Sequence, residues 1–99
     1  MRVVWKFEMN VGSDDVFLQM PAISQIVEAR FHPATKMVTL WALCKSDTPL
    51  VTKTFMIVGT GQTYDREDEQ VVQYIWTVFD DDYVWHIFEV LGVKCPGPQ

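Results

Sequence analysis

Residues 71–91, VVQYIWTVFDDDYVWHIFEVL, contain two apolar segments that are separated by three aspartates. The side chains of the second segment alternate between two faces, which hold Val84, His86, Phe88 and Val90 on one side and Tyr83, Trp85, Ile87 and Glu89 on the other. A period of two residues is typical of a β-strand, and a short polar connection between two such segments predicts a hairpin. This stretch therefore favours antiparallel β structure.

The same alternation continues through the rest of the chain, where the turn signals NVGSDD, PATK and SDTP separate the apolar segments. Residues 37–45 are apolar on both faces, and residues 51–58 are rich in β-branched residues and alternate less cleanly; both patterns predict interior strands. We therefore predict an all-β fold, a small antiparallel sheet or barrel-like domain of six or seven strands. This single domain would span residues 1–93, with room for one short helix over residues 65–73 and a flexible tail at residues 94–99.

Composition and charge exclude several classes of protein. The chain of 99 residues has a net charge of −5 and a pI of about 4.7, which argues against binding to duplex nucleic acid. No segment approaches the roughly 20 apolar residues of a membrane helix, so we expect no membrane contact. Cys44 and Cys95 are isolated, which gives no metal-binding pattern, and no cofactor is expected. Cys44 is interpreted as a small core residue.

Aromatic residues make up 13% of the chain, which is many large rings for a domain of this size. Some of them would line a pocket or a subunit interface, although an aromatic-rich core explains them equally well. A small sheet also has unpaired edges, and unpaired edges favour association. Together, these features predict a homo-oligomer.

The loop that follows the fifth strand, GTGQTY at residues 59–64, is the first candidate binding site. Gly59 and Gly61 permit backbone conformations that let successive N–H groups converge on an anion. Thr60 and Gln62 add side-chain donors, and Tyr64 offers a ring for stacking. The loop lacks the third glycine of a dinucleotide fingerprint and the GK[ST] of a P-loop. The alternative interpretation is a glycine-rich turn at the end of a strand.

Further candidates are single aromatic residues and one histidine. Trp41 and Trp85 fall in predicted strands, where an outward-facing ring would stack on a nucleobase and an inward-facing ring would pack in the core. His86 is interpreted either as a core or interface residue or as a ligand contact. No serine has a nucleophile-elbow context, and the carboxylates cluster in turns. We therefore expect no enzymatic activity.

Several short elements in order resemble a known family. They are VVWKFEM, MPAISQIVEARF, LWAL, IVGTG and VWHIFE, and the resemblance extends over residues 3–90. This arrangement resembles a family of small uncharacterised proteins that occur mostly in bacteriophages and prophages. In that family a histidine follows GTG, whereas this chain has Gln62, so a function that needs an imidazole at this position is not expected here. Cys44 stands where the family has an aliphatic residue.

The resemblance implies an accessory protein in the cytoplasm of an infected bacterial host. The leading hypothesis is a homo-oligomer that binds and sequesters a small nucleotide signal of host defence, such as a cyclic nucleotide, without hydrolysing it. The first alternative is an acidic inhibitor that binds a host defence protein directly, for instance as a DNA mimic through residues 65–69 and 80–82. The second alternative is a structural phage protein without a ligand.

Overall fold

The computed structural model describes residues 1–12, 15–62 and 70–93 and contains seven strands there. The strands are β1 (Arg2–Asn10), β2 (Val16–Pro21), β3 (Ser24–His32), β4 (Met37–Lys45), β5 (Leu50–Gly59), β6 (Gln70–Asp80) and β7 (Tyr83–Val93). Every pair of neighbouring strands is antiparallel. The predicted all-β class is confirmed.

The strands form two sheets instead of a closed barrel. The three-stranded sheet has the order β1–β4–β3, and the four-stranded sheet has the order β2–β5–β7–β6. The sequence predicted interior positions for residues 37–45 and 51–58, and β4 and β5, which contain them, are interior strands of their sheets. An interior strand suits apolar and β-branched residues because their side chains pack against neighbouring strands on both sides.

One hydrophobic core joins the two sheets. The three-stranded sheet contributes Met9, Ala29, Val38, Leu40, Ala42 and Cys44, and the four-stranded sheet contributes Met20, Phe55, Ile57, Val78 and Ile87. The four buried hydrophobic residues of β4 alternate along the strand, so one face of β4 points into the core. Cys44 is fully buried with a free thiol, as its interpretation as a core residue predicted.

Two turns adopt left-handed backbone at polar residues and are tied together by an ion pair. Lys36, in the turn after β3, has a φ of 59°, and Asp81, in the two-residue connection of the β6–β7 hairpin, has a φ of 44°. Lys36 Nζ lies 3.7 Å from a carboxylate oxygen of Asp80, which is nearly buried. This contact joins the β3–β4 connection of one sheet to the hairpin of the other.

One sequence prediction is corrected in part, and two others concern residues outside the described part of the chain. Residues 70–73, the end of the segment with room for a helix, belong to strand β6. The remainder of that segment and the tail at residues 94–99 lie outside the described residues. The described part of the chain contains no helix that could cross a membrane.

Candidate functional site

The GTGQ segment closes strand β5 as a tight turn. The carbonyl oxygen of Gly59 accepts a hydrogen bond from the Gln62 N–H at 3.0 Å, and Gly61 has a φ of 83°. Glycine at the third position of a four-residue turn is what a type II turn requires, because that position needs a positive φ. The second glycine is therefore needed for the chain reversal itself, whether or not a ligand binds.

Hydrogen bonds within the protein occupy most of the backbone donors of this turn. The Gly59 N–H donates to Oε1 of Gln62 at 2.9 Å, and the Thr60 N–H donates to the carbonyl oxygen of Val84 at 3.1 Å. The Gln62 N–H is engaged within the turn, so Gly61 N–H is the donor of the turn that has no acceptor among the described residues. Converging backbone donors, on which the phosphate-cradle interpretation depended, are therefore absent from this part of the structure.

Substitution of Gly61 by valine tests whether the turn needs its glycine. We expect a loss of about 1–2 kcal/mol in the free energy of unfolding, because a β-branched residue is strained at a φ of 83°. A Cβ atom at this position meets no atom within 4 Å, so the loss reflects backbone strain and not a clash. Urea denaturation measures it. Gly12→Val is the matched control, since a Cβ there also meets nothing and the φ is not positive. Equal stability of the two variants would contradict the requirement for glycine at position 61.

A pocket of about 430 Å³ lies between the turn and the start of β7. Its walls are Gly59, Thr60 and Gln62 on one side and Asp82, Tyr83, Val84 and Trp85 on the other. The rings of Tyr83 and Trp85 are stacked, with centroids 6.1 Å apart and planes at 26°. Tyr83 is largely exposed, whereas Nε1 of Trp85 is buried without a hydrogen-bond partner. The pocket thus combines an exposed aromatic surface with a few polar groups.

His86 occupies the opposite face of β7 and takes part in a chain of polar side chains. Its Nε2 lies 2.7 Å from the Thr60 hydroxyl, and its Nδ1 lies 3.3 Å from the Thr77 hydroxyl. The Thr77 hydroxyl lies 2.8 Å from the hydroxyl of Tyr74. We call these four side chains the Thr–His relay. Thr60 therefore belongs to two surfaces, since its backbone lines the pocket and its hydroxyl contacts His86.

The contact between Thr60 and His86 resembles a nucleophile beside its general base. Such a pair also needs a third group that orients the base and stabilises its charged form, which is a carboxylate in most hydrolases. Here the second ring nitrogen faces the hydroxyl of Thr77. A neutral hydroxyl holds the ring in place but gives little stabilisation to an imidazolium, so this arrangement favours a structural hydrogen-bond network.

The structure brings most of the residues that the sequence nominated to one turn and pocket, but His86 and Trp41 do not line that pocket. His86 lies on the opposite face of β7, where it contacts the Thr60 hydroxyl. Gly59, Thr60, Gln62 and Trp85 line the pocket, with Gly61 in the same turn. Trp41 lies on β4, in the other sheet, on the face that points away from the core, in register with Lys6 and Glu28. It is therefore not part of this pocket. Tyr64 lies outside the described residues.

Sequence reasoning did not nominate the most exposed ring of the pocket, Tyr83. The signal was available, because Tyr83 shares a face with Trp85 and directly follows the aspartate turn. It also missed Thr77 and Tyr74 of the Thr–His relay. Those contacts cross from β5 to β7 and from β7 to β6, so they depend on the strand order, which local alternation does not reveal.

These features describe a small two-sheet β protein with a shallow aromatic pocket at one end of its larger sheet. The chain belongs to a family defined by a domain of unknown function, DUF7352, whose model matches residues 1–94. No curated protein matches the sequence, and no solved structure matches it.

Proposed function

We propose that this protein is a non-enzymatic binding protein that holds a small nucleotide in the pocket beside the GTGQ turn. The observation that carries the proposal is the exposed ring of Tyr83, which is stacked on Trp85 and lines an open pocket with a few polar groups. Every nucleobase has a flat face, and stacking on an aromatic side chain stabilises a bound base by about 1–3 kcal/mol.

The polar groups of the pocket favour recognition of the base over recognition of the phosphates. The carboxylate of Asp82 accepts hydrogen bonds from the amino group of a base and repels phosphate. Gln62, whose Oε1 accepts a hydrogen bond from the Gly59 N–H, also lines the pocket and has an amide N–H₂ group as a further donor. For a phosphate, the turn offers the Gly61 N–H and no converging group of donors. The base would therefore stack on Tyr83 while the phosphates point towards solvent.

The biological part of the proposal follows from the resemblance to phage and prophage proteins. An accessory protein that sequesters a nucleotide signal, cyclic or linear, would lower its free concentration without chemistry. The absence of a carboxylate beside His86, within the described residues, agrees with binding without hydrolysis. An oligomer would supply several such pockets in one particle.

The alternative, an acidic inhibitor of a host protein, has less support. Of the three aspartates of the hairpin turn, Asp80 is nearly buried and faces Lys36, which leaves Asp81 and Asp82 at the surface. Two exposed carboxylates are few for imitation of a nucleic-acid backbone. The other acidic segment, residues 65–69, lies outside the described residues.

Native mass spectrometry with a panel of linear and cyclic nucleotides tests the proposal. We expect the protein to gain the intact mass of one panel member. Tyr83→Ala should weaken this binding by roughly 5- to 150-fold, which corresponds to the loss of one stacked base. Tyr83→Phe is the matched control, because it keeps the ring and removes only the hydroxyl.

Two results would count against this site. If no nucleotide of the panel binds at micromolar concentrations, a nucleotide is not the ligand. If a nucleotide binds and Tyr83→Ala leaves its affinity unchanged, the nucleotide occupies a different surface. Exchange of Asp81 for lysine separates the two hypotheses further, because it should spare nucleotide binding and weaken binding of an acid-dependent protein partner.

A further inference from the structure

The outer face of the four-stranded sheet, which points away from the core, contains no charged residue in the described part of the chain. The strand register assigns to it Phe17, Gln19, Thr52, Thr54, Met56, Val58, Val72, Tyr74, Thr77, Phe79, Val84, His86, Phe88 and Val90. We call this surface the neutral face. Phe79 is 71% exposed and Phe17 is 65% exposed, at its two opposite edges.

The outer face of the three-stranded sheet differs, because it carries the charged side chains that are usual on a surface in contact with water. There, the same reasoning places Arg2, Lys6, Glu8, Glu28 and Arg30 around Trp41. Arg30 and Glu28 form an exposed ion pair on this face. A chain with a net charge of −5 therefore carries charges on one outer face and none on the other. An uncharged outer face that exposes large rings such as Phe17 and Phe79 is a candidate interaction site.

Most polar side chains of the neutral face are already paired with one another. Nε2 of Gln19 donates to the Thr52 hydroxyl at 2.6 Å, and the four side chains of the Thr–His relay are linked by hydrogen bonds. Burial of a polar group costs free energy mainly when its hydrogen bonds are lost. Removal of this face from water therefore costs less than removal of a face with charged or unpaired polar side chains.

We propose that the neutral face packs against the same face of a second copy of this chain, forming a symmetric dimer. Two acidic chains repel each other, and the surface through which they can approach most closely is the one without charge. A basic or acidic partner would find no complementary group on this face. Aligned packing of two sheets at a separation of about 10 Å is a common arrangement in β proteins.

The area of the neutral face is adequate for a specific dimer. Strands spaced by about 4.8 Å with a rise of about 3.4 Å per residue give a face of roughly 600 Å² per copy. Two copies then bury roughly 1,200 Å², which is the lower end of the range for stable interfaces. Phe88, on the interior strand β7, would lie near the middle as an aromatic anchor, and Tyr74 on the edge strand β6 contacts it edge to face with centroids 6.0 Å apart.

Sedimentation velocity on the full chain tests this inference, which does not depend on the nucleotide proposal. We expect a species of twice the 11.5 kDa chain mass at concentrations near 100 µM. Phe79→Glu should raise the dimer dissociation constant by about 30-fold, as expected for an exposed aromatic contact at the edge of the face that is replaced by a charge with no partner across the interface. Phe17→Glu, at the other edge of the face, should act in the same direction.

Val4→Glu is the matched control, since Val4 is 54% exposed on the outer face of the three-stranded sheet. It should leave the dimer intact, and near-UV circular dichroism should show that all three variants are folded. A monomeric wild-type chain at about 100 µM would overturn the proposal, and the neutral face would then be a candidate surface for binding a different protein. A dimer that persists in both phenylalanine variants, or that is lost equally in Val4→Glu, would overturn it as well.

Discussion

Replacement of Phe55 by alanine should lower the free energy of unfolding by about 3–5 kcal/mol, the usual cost of deleting a buried aromatic ring. Phe55 lies on β5, has no exposed surface, and is a member of the core that joins the two sheets. A domain of this size is stable by roughly 5–15 kcal/mol, so the loss removes a large share of its stability. The melting temperature should fall by more than about 12 °C.

Thermal unfolding monitored by circular dichroism and urea denaturation monitored by tryptophan fluorescence both report this loss. Val4→Ala serves as the control, because Val4 faces solvent on the three-stranded sheet. Its stability should change by no more than about 0.5 kcal/mol. Similar melting temperatures for Phe55→Ala and the wild-type chain would mean that β5 does not form the centre of the core.

Replacement of Lys53 by methionine should cost about 2–3 kcal/mol. Lys53 Nζ lies 3.9 Å from a carboxylate oxygen of Glu89, and the two side chains are only 19% and 17% exposed. Removal of the lysine leaves a largely buried carboxylate without its cation. The cost for a fully buried pair is about 3–5 kcal/mol, and the residual exposure of this pair lowers it.

A second substitution shows whether the loss arises from the isolated charge. In the Lys53→Met chain, Glu89→Leu should restore most of the lost stability, because replacing both partners by apolar side chains is often neutral. The exposed pair of Arg30 and Glu28 is the control, and Arg30→Met should cost less than about 1 kcal/mol. If Glu89→Leu destabilises the Lys53→Met chain further, the carboxylate has another partner that matters more.

The two proposed surfaces use opposite faces of the same strand. Trp85 packs beneath the pocket, and the next residue, His86, points to the neutral face. Thr60 lies next to both surfaces, because its N–H donates to the carbonyl oxygen of Val84 and its hydroxyl contacts His86. Loss of nucleotide binding in a Tyr83 variant and loss of the dimer in a Phe79 variant can therefore be measured independently.

The candidate site was only partly predictable from the sequence. The sequence nominated the GTGQ turn and Trp85 separately, and the structure places both beside one pocket. The glycine pattern left a phosphate cradle and a strand-end turn as alternatives, and it could not show that the side chain of Gln62 and the carbonyl oxygen of Val84 engage two of the N–H groups. The second acceptor comes from a strand that is more than twenty residues away in the chain.

The all-β class, the approximate positions of six or seven strands, and the main turns were predictable from the sequence. These properties are local, because side chains alternate with a period of two and because residues such as Gly61 and Asp81 tolerate a positive φ. Three features were visible only in the folded structure. The strands divide into two sheets, Trp41 lies in the sheet that does not contain the pocket, and the strands of the four-stranded sheet share the neutral face. Those outcomes depend on which strands pair, and pairing is set by the packing of distant residues such as Leu40 and Phe55 in one core.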